Sequence, residues 1–127
     1  MSMVKFYKCA HCGQIVAKVK DVGVPIICCG EPMTEIVAGA VDAAAEKHVP
    51  VIAVDGDAVT VKVGEVTHPM AEAHYIEWIL IHTEQGAQRK ILKPGDAPEA
   101  VFALAGGDKL IAAYAYCYLH GLWTAAV

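Results

Sequence analysis

Cysteine spacing constrains this 127-residue chain more than any other feature. Cys9 and Cys12 form a Cys-x-x-Cys knuckle in "KCAHCGQ", and Cys28 and Cys29 stand side by side in "IICCGEPM". The fifth cysteine, Cys117, lies far away in "AYCYLHGLW", three residues before His120. Three more histidines occupy short, unusual contexts: His48 in "EKHVP", His68 in "THPM" and His74 in "AHYIEW". Thiolates and imidazoles bind soft and borderline transition metals, so the pattern predicts two metal sites of different character. A pure disulfide framework would strand one of five thiols. The start "MSMVKFYKC" carries no apolar leader region. The expectation is a cytoplasmic protein, whose reduced thiols serve as metal ligands.

Composition narrows the function classes. Net charge is −4 and only 19% of residues are charged, with Lys and Arg scattered. Nucleic acid is a poor partner for such a chain, because neutralising phosphates needs clustered cations. No apolar run has the length of a membrane span. Hydrophobic content of 56% is ample for a core. It is unevenly placed, however: residues 1–36 hold four of the five cysteines but few large apolar side chains. A unit that short cannot fold on core burial alone, and a structural metal is a usual remedy. The expected domains are 1–36 and 37–127, joined by an Ala/Gly link near residues 37–40.

The second domain reads as β. "VPVIAVDGDAVTVKVG" is two β-branched runs around Asp55-Gly56, a hairpin signal. "HYIEWILIHT", "RKILK", "EAVFAL", "KLIAAYAYCYL" and "GLWTAAV" continue the pattern, and short strands between glycine turns predict a β-sandwich or barrel. "DAAAEKH" is a candidate helical turn that Pro50 stops.

The two donor sets predict different chemistry. Cys9, Cys12, Cys28 and Cys29 suit a tetrahedral four-thiolate site, and residue type alone does not choose zinc or iron. Cys28 and Cys29 are adjacent, so angular distortion is expected. His48, His68, His74, His120 and Cys117 make five donors, one more than a structural zinc takes. Five suit an iron that keeps one position open for chemistry. His11 and His82 read as surface groups.

Six motifs, "CxxCG", "CCGEPM", "EKHVP", "THPM", "HYIEW" and "YCYLHGLW", follow one another in an order that resembles the desulfoferrodoxins, the two-iron class of superoxide reductase. The resemblance spans nearly the whole chain. It implies a desulforedoxin-like Fe(Cys)4 domain followed by an immunoglobulin-like β-sandwich with a catalytic iron, two iron ions per chain. Cys9, Cys12, Cys28 and Cys29 would hold the first iron. His48, His68, His74 and His120 would be equatorial ligands of the second, with Cys117 as axial thiolate. The implied activity is reduction of superoxide to hydrogen peroxide. Lys47 would attract superoxide and help protonate the product, and Glu46 would take the open position at rest. The implied partners are superoxide, rubredoxin or a similar small electron donor, and a second copy in a homodimer. Two other readings compete: a non-catalytic rubredoxin-like electron carrier, and a zinc-ribbon interaction module on a β-sandwich.

Overall fold

A computed structural model describes residues 4–127, so residues 1–3 of the expected first domain lie outside the described residues. The chain divides between Val37 and Ala38 into two compact units.

The first unit is made of very short strands. β1 (Phe6–Lys8) lies between β2 (Ile15–Ala17) and β5 (Thr34–Ile36), antiparallel to both. β3 (Ile27–Cys28) and β4 (Glu31–Pro32) form a separate hairpin. Among the described residues of this unit, only Phe6, Cys9 and Met33 are buried apolar side chains. So little interior cannot offset the entropy of ordering the backbone. The β3–β4 turn explains how adjacent cysteines work. Its two central residues, Cys29 and Gly30, have φ of 52° and 77°. A two-residue hairpin loop with both φ positive is the type I′ turn. Glycine takes that conformation freely, whereas Cys29 does so against the usual preference of a side-chain-bearing residue.

The second unit is an immunoglobulin-like β-sandwich. A single helical turn, α1 (Ala45–His48), precedes β6 (Pro50–Asp55), β7 (Ala58–Val63), β8 (Ile76–Thr83), β9 (Gly86–Ile91), β10 (Glu99–Ala103), β11 (Leu110–Cys117) and β12 (Gly121–Ala126). One sheet runs β10-β7-β6 and the other β12-β11-β8-β9, with every pair antiparallel. α1 ends at Val49, which is extended, as the residue before a proline prefers. The β6–β7 hairpin turns on Gly56-Asp57, one residue later than the sequence signal, because Asp55 pairs with Ala58.

Period-two burial builds the core. Val59, Val61 and Val63 point inward from β7, Ala100 and Phe102 from β10, and Ala113, Ala115 and Cys117 from β11. Ile76, Ile79 and Ile81 of β8 are fully buried. Each large aliphatic or aromatic side chain so buried contributes about 1.5–3 kcal/mol. Cys117 thus sits at the end of a core strand. Across the open edge, Gln88 of β9 donates to Ala103 O at 2.9 Å, and Lys90 of β9 donates to Val101 O. These side chains link the edge strands of the two sheets and occupy carbonyls that an edge would otherwise present to another chain. Among the described residues no helix is long and apolar enough to cross a membrane.

Candidate metal centres

The knuckle in the first unit is closed by its own backbone. Cys9 N–H donates to Gln14 O at 2.9 Å, and Gly13 N–H to Cys9 O at 3.0 Å. Cys12 N–H points at Cys9 Sγ from 3.5 Å. The hairpin brings Cys28 Sγ to 3.6 Å from Cys12 Sγ. Ligand atoms of Cys9, Cys12, Cys28 and Cys29 all lie within 4.8 Å of one another. A tetrahedron with metal–sulfur bonds of about 2.3 Å has edges of roughly 3.8 Å, so the sulfurs fit one ion. Backbone N–H groups of Cys12 and His11 pull the Cys9 thiol down to about 6. Hydrogen bonds that Cys28 shares with Cys9 and Cys12 push its thiol up to about 12. Cys9 is therefore the thiol readiest to ionise, and a cation bound among the sulfurs favours ionisation of Cys28 and Cys29, whose thiols are held up.

In the second unit four imidazoles form a square. Going round it, ring centres are 4.7 Å apart for His48–His68, 4.7 Å for His68–His74, 5.0 Å for His74–His120 and 4.9 Å for His120–His48. Neighbouring rings stand 77° to 85° apart, while His48 and His74 face each other across 6.2 Å. Half that diagonal is about 3 Å, which matches a metal–nitrogen bond of about 2 Å plus the reach from ring nitrogen to ring centre. Cys117 Sγ lies 3.4 Å from His68 Nε2. Ligand atoms of His48, His74, Cys117 and His120 lie within 4.8 Å of one another.

Each donor arrives from a different piece of chain. α1 presents His48, the loop after β7 presents His68, and the end of β11 with its turn presents Cys117 and His120. The sequence reading put His74 at the head of a strand. It precedes β8, on a tight turn where His74 and Ala71 exchange both backbone hydrogen bonds at 2.9 and 3.0 Å. That turn uses up the backbone groups a strand would need.

Hydrogen bonds fix which nitrogen faces inward. His48 Nδ1 donates to Ala44 O at 2.7 Å, and His68 Nδ1 donates to Pro69 O at 2.6 Å. A carbonyl only accepts, so each proton sits on Nδ1 and each Nε2 offers a lone pair. His120 turns Nδ1 inward instead, 3.1 Å from His48 Nε2. His74 Nε2 is buried with no hydrogen-bond partner among the described residues. Burial pushes His68 down to about 4 and lowers His48 and His74 as well, so these three imidazoles stay neutral. Burial raises the Cys117 thiol. Imidazoles standing edge to face around a thiol, with converging lone pairs, fit a cation at the centre.

Glu46 and Lys47 lie exposed on α1 beside His48. A surface cavity of about 530 Å³ reaches this turn, lined by Ala45, Glu46, Val49, Pro50, Val51 and Glu65. The other two histidines are not members of the square. His11 pairs with Glu31 at 3.0 Å, and His82, expected at the surface, is half-buried in β8. Trp123 was missed from sequence. Its ring stacks on His48 at 4.9 Å and its Nε1 donates to His120 O at 3.2 Å, so it braces two donors. Its place three residues after His120 was the available signal.

The desulfoferrodoxin family model matches residues 40–126, and the model of the desulfoferrodoxin N-terminal domain matches residues 2–36. The chain belongs to the desulfoferrodoxin family. It is 49% identical to the desulfoferrodoxin of Nitratidesulfovibrio vulgaris, over 95% of this chain and 94% of that one. It superposes on a superoxide reductase from Treponema pallidum with a TM-score of 0.83 and 39% identity, covering 98% of this chain and 99% of that one. A superoxide reductase from Giardia intestinalis matches 65% of this chain and 97% of its own length, with a TM-score of 0.56 and 35% identity. With that membership, the two donor groups are those of two iron sites per chain, one Fe(Cys)4 and one Fe(His)4Cys.

Proposed function

We propose that the chain is a superoxide reductase, converting superoxide to hydrogen peroxide with one electron and two protons. The observation that carries this reading is the square of four imidazoles beside a buried thiol. His48, His68, His74, His120 and Cys117 would hold the iron, which would supply the electron when bound, and five protein donors would leave room for a small anion beside them.

The chain's residues prepare that position. The carbonyls of Ala44 and Pro69 hold two imidazoles in the metal-binding tautomer. Cys117 brings the only formal negative charge among the five donors, so a divalent ion there is not neutralised and the site favours an anion. Lys47 adds a cation at the mouth, attracts superoxide and helps deliver protons to the product through water. Glu46, exposed on α1 beside His48, would offer a carboxylate to the iron between turnovers. Cys9, Cys12, Cys28 and Cys29 hold the first iron in domain 1–36, and domain 37–127 carries the reaction. The free thiols fit a reducing cytoplasm. The spent electron comes from an external donor, rubredoxin or a similar small carrier, and the chain works as a homodimer.

Product stoichiometry tests this. The iron-loaded chain with excess reductant should form one peroxide per superoxide and no dioxygen. Release of one dioxygen for every two superoxides consumed means dismutation and overturns the proposal.

A further inference from the structure

The geometry points to Gly64 as a positioning residue for the histidine site: we infer that its bare backbone lets the end of β7 clasp the turn that carries Glu46, Lys47 and His48. A Cβ at Gly64 would stand 2.5 Å from Glu46 O, 2.7 Å from the Lys47 carbonyl carbon and 3.0 Å from His48 N. All three are main-chain atoms, which cannot swing aside as a side chain can. Gly64 does not need to be glycine for its φ, which is outside the left-handed region. Gly56, Gly86 and Gly107 show the opposite case: each has positive φ and open space where a Cβ would go. Close approach is therefore what requires glycine at position 64.

The clasp has one further stitch across to α1, and a second bond pins the loop on itself. Val66 N–H donates to Glu46 O at 2.9 Å, and His68 N–H donates to Val63 O at 3.0 Å. α1 needs such help. It is four residues long, and Ala44 offers it no side-chain cap. A single turn is unstable alone, because nucleation fixes several residues for one hydrogen bond. Two donors leave from opposite sides of this junction, His48 from α1 and His68 from the loop, and their Nε2 atoms meet 3.2 Å apart. The depth to which the chain at Gly64 seats against α1 thus sets one edge of the imidazole square. This rests on the square being a metal site, but it concerns backbone placement and can be read without turnover.

The test uses the full chain with the four-cysteine site filled, Gly64→Ala, and Gly106→Ala as control. Gly106 has open space around a Cβ and no left-handed φ. Cobalt(II) is titrated into the histidine site against a chelator. Gly64→Ala should raise the dissociation constant about 10- to 100-fold, the range for residues that orient metal ligands. Its saturated d–d bands should also shift, which mere loss of global stability would not cause. Gly106→Ala should match wild type. Unchanged affinity and bands in a folded Gly64→Ala chain overturn the inference. If that variant does not fold, hydrogen exchange at the Val66 amide of metal-free wild type decides. Protection equal to the loaded chain supports a preformed clasp, and exchange at the rate of an unstructured amide overturns it. Should Gly64→Ala weaken cobalt binding in a chain that proves unable to reduce superoxide, the clasp stands and only the functional reading falls.

Discussion

His48 Nε2 faces His68 Nε2 at 3.2 Å, and both rings keep their proton on Nδ1, where it is donated in a hydrogen bond to a backbone carbonyl. Two lone pairs therefore point at each other between side chains that are 2% and 1% exposed. A cation between them turns that repulsion into attraction. Removing the metal should accordingly lower the melting midpoint of the second unit. A ligand at a thousand times its dissociation constant stabilises by about 4 kcal/mol. Calorimetry of the iron-loaded and chelated chains checks this, and identical midpoints would count against a metal at the centre.

Cys117→Ser should abolish thiolate-to-iron absorption of the second site and most superoxide reduction. Cys117 is fully buried and is the only cysteine of the second unit. A serine hydroxyl of nearly the same shape keeps the packing but not the soft donor. The visible spectrum of the variant is the measurement. An unchanged band and rate would remove Cys117 from the ligand set.

Asp21 gives the first unit an acid dependence. Its carboxylate accepts from Gly23 N–H at 2.8 Å and from Lys18 Nζ at 2.9 Å, and these hold its pKa below the ordinary 3.8. A depressed carboxylate pKa contributes stability above the unfolded value and loses it as pH falls through the folded one. Asp21→Asn should therefore lower the urea midpoint of the four-cysteine unit near neutral pH. The gap to wild type should close as pH drops below roughly 4. A gap that persists at low pH would mean the carboxylate's charge is not what matters.

The donors were legible because thiols and imidazoles are scarce and sat in distinctive contexts; the scaffold that aims them was not. Nothing in the side chains of Ala44 or Pro69 announces that their carbonyls will hold His48 and His68. The adjacency of Cys28 and Cys29 was plain, but the turn that makes it useful needs a cysteine at positive φ, which sequence preference argues against. His74 looked like a strand residue because aromatic and β-branched neighbours follow it, and only its pairing with Ala71 shows the turn. Gly64 is one of 11 glycines, and only the close approach of α1 sets it apart.

His11→Gln and His82→Gln should each leave two irons per chain. His11 lies inside the knuckle, but its ring is engaged with Glu31 at 3.0 Å. His82 lies near the end of β8, opposite Ala112 of β11 and Ala87 of the edge strand β9, and is not in the donor group. Metal analysis of the purified variants decides. Stoichiometric loss of iron from either one would show that the donor sets are wrongly drawn.

Lys47 separates attraction of substrate from assembly of the site. A charged ammonium has no lone pair, so it binds no iron, and Lys47 is exposed on α1 next to buried His48. Lys47→Ala should slow bimolecular association with superoxide while leaving both iron spectra nearly intact. The defect should shrink as salt rises, since an exposed charge is screened over about 10 Å at 0.1 M ionic strength. Glu46→Ala should do the reverse, altering the spectrum of the oxidised second iron with little effect on association. Pulse radiolysis of both variants over a salt series measures the two effects together. If Lys47→Ala matches wild type at low salt, Lys47 does not steer, and the neighbouring Glu46 and Lys47 are an exposed pair of opposite charges worth well under 1 kcal/mol.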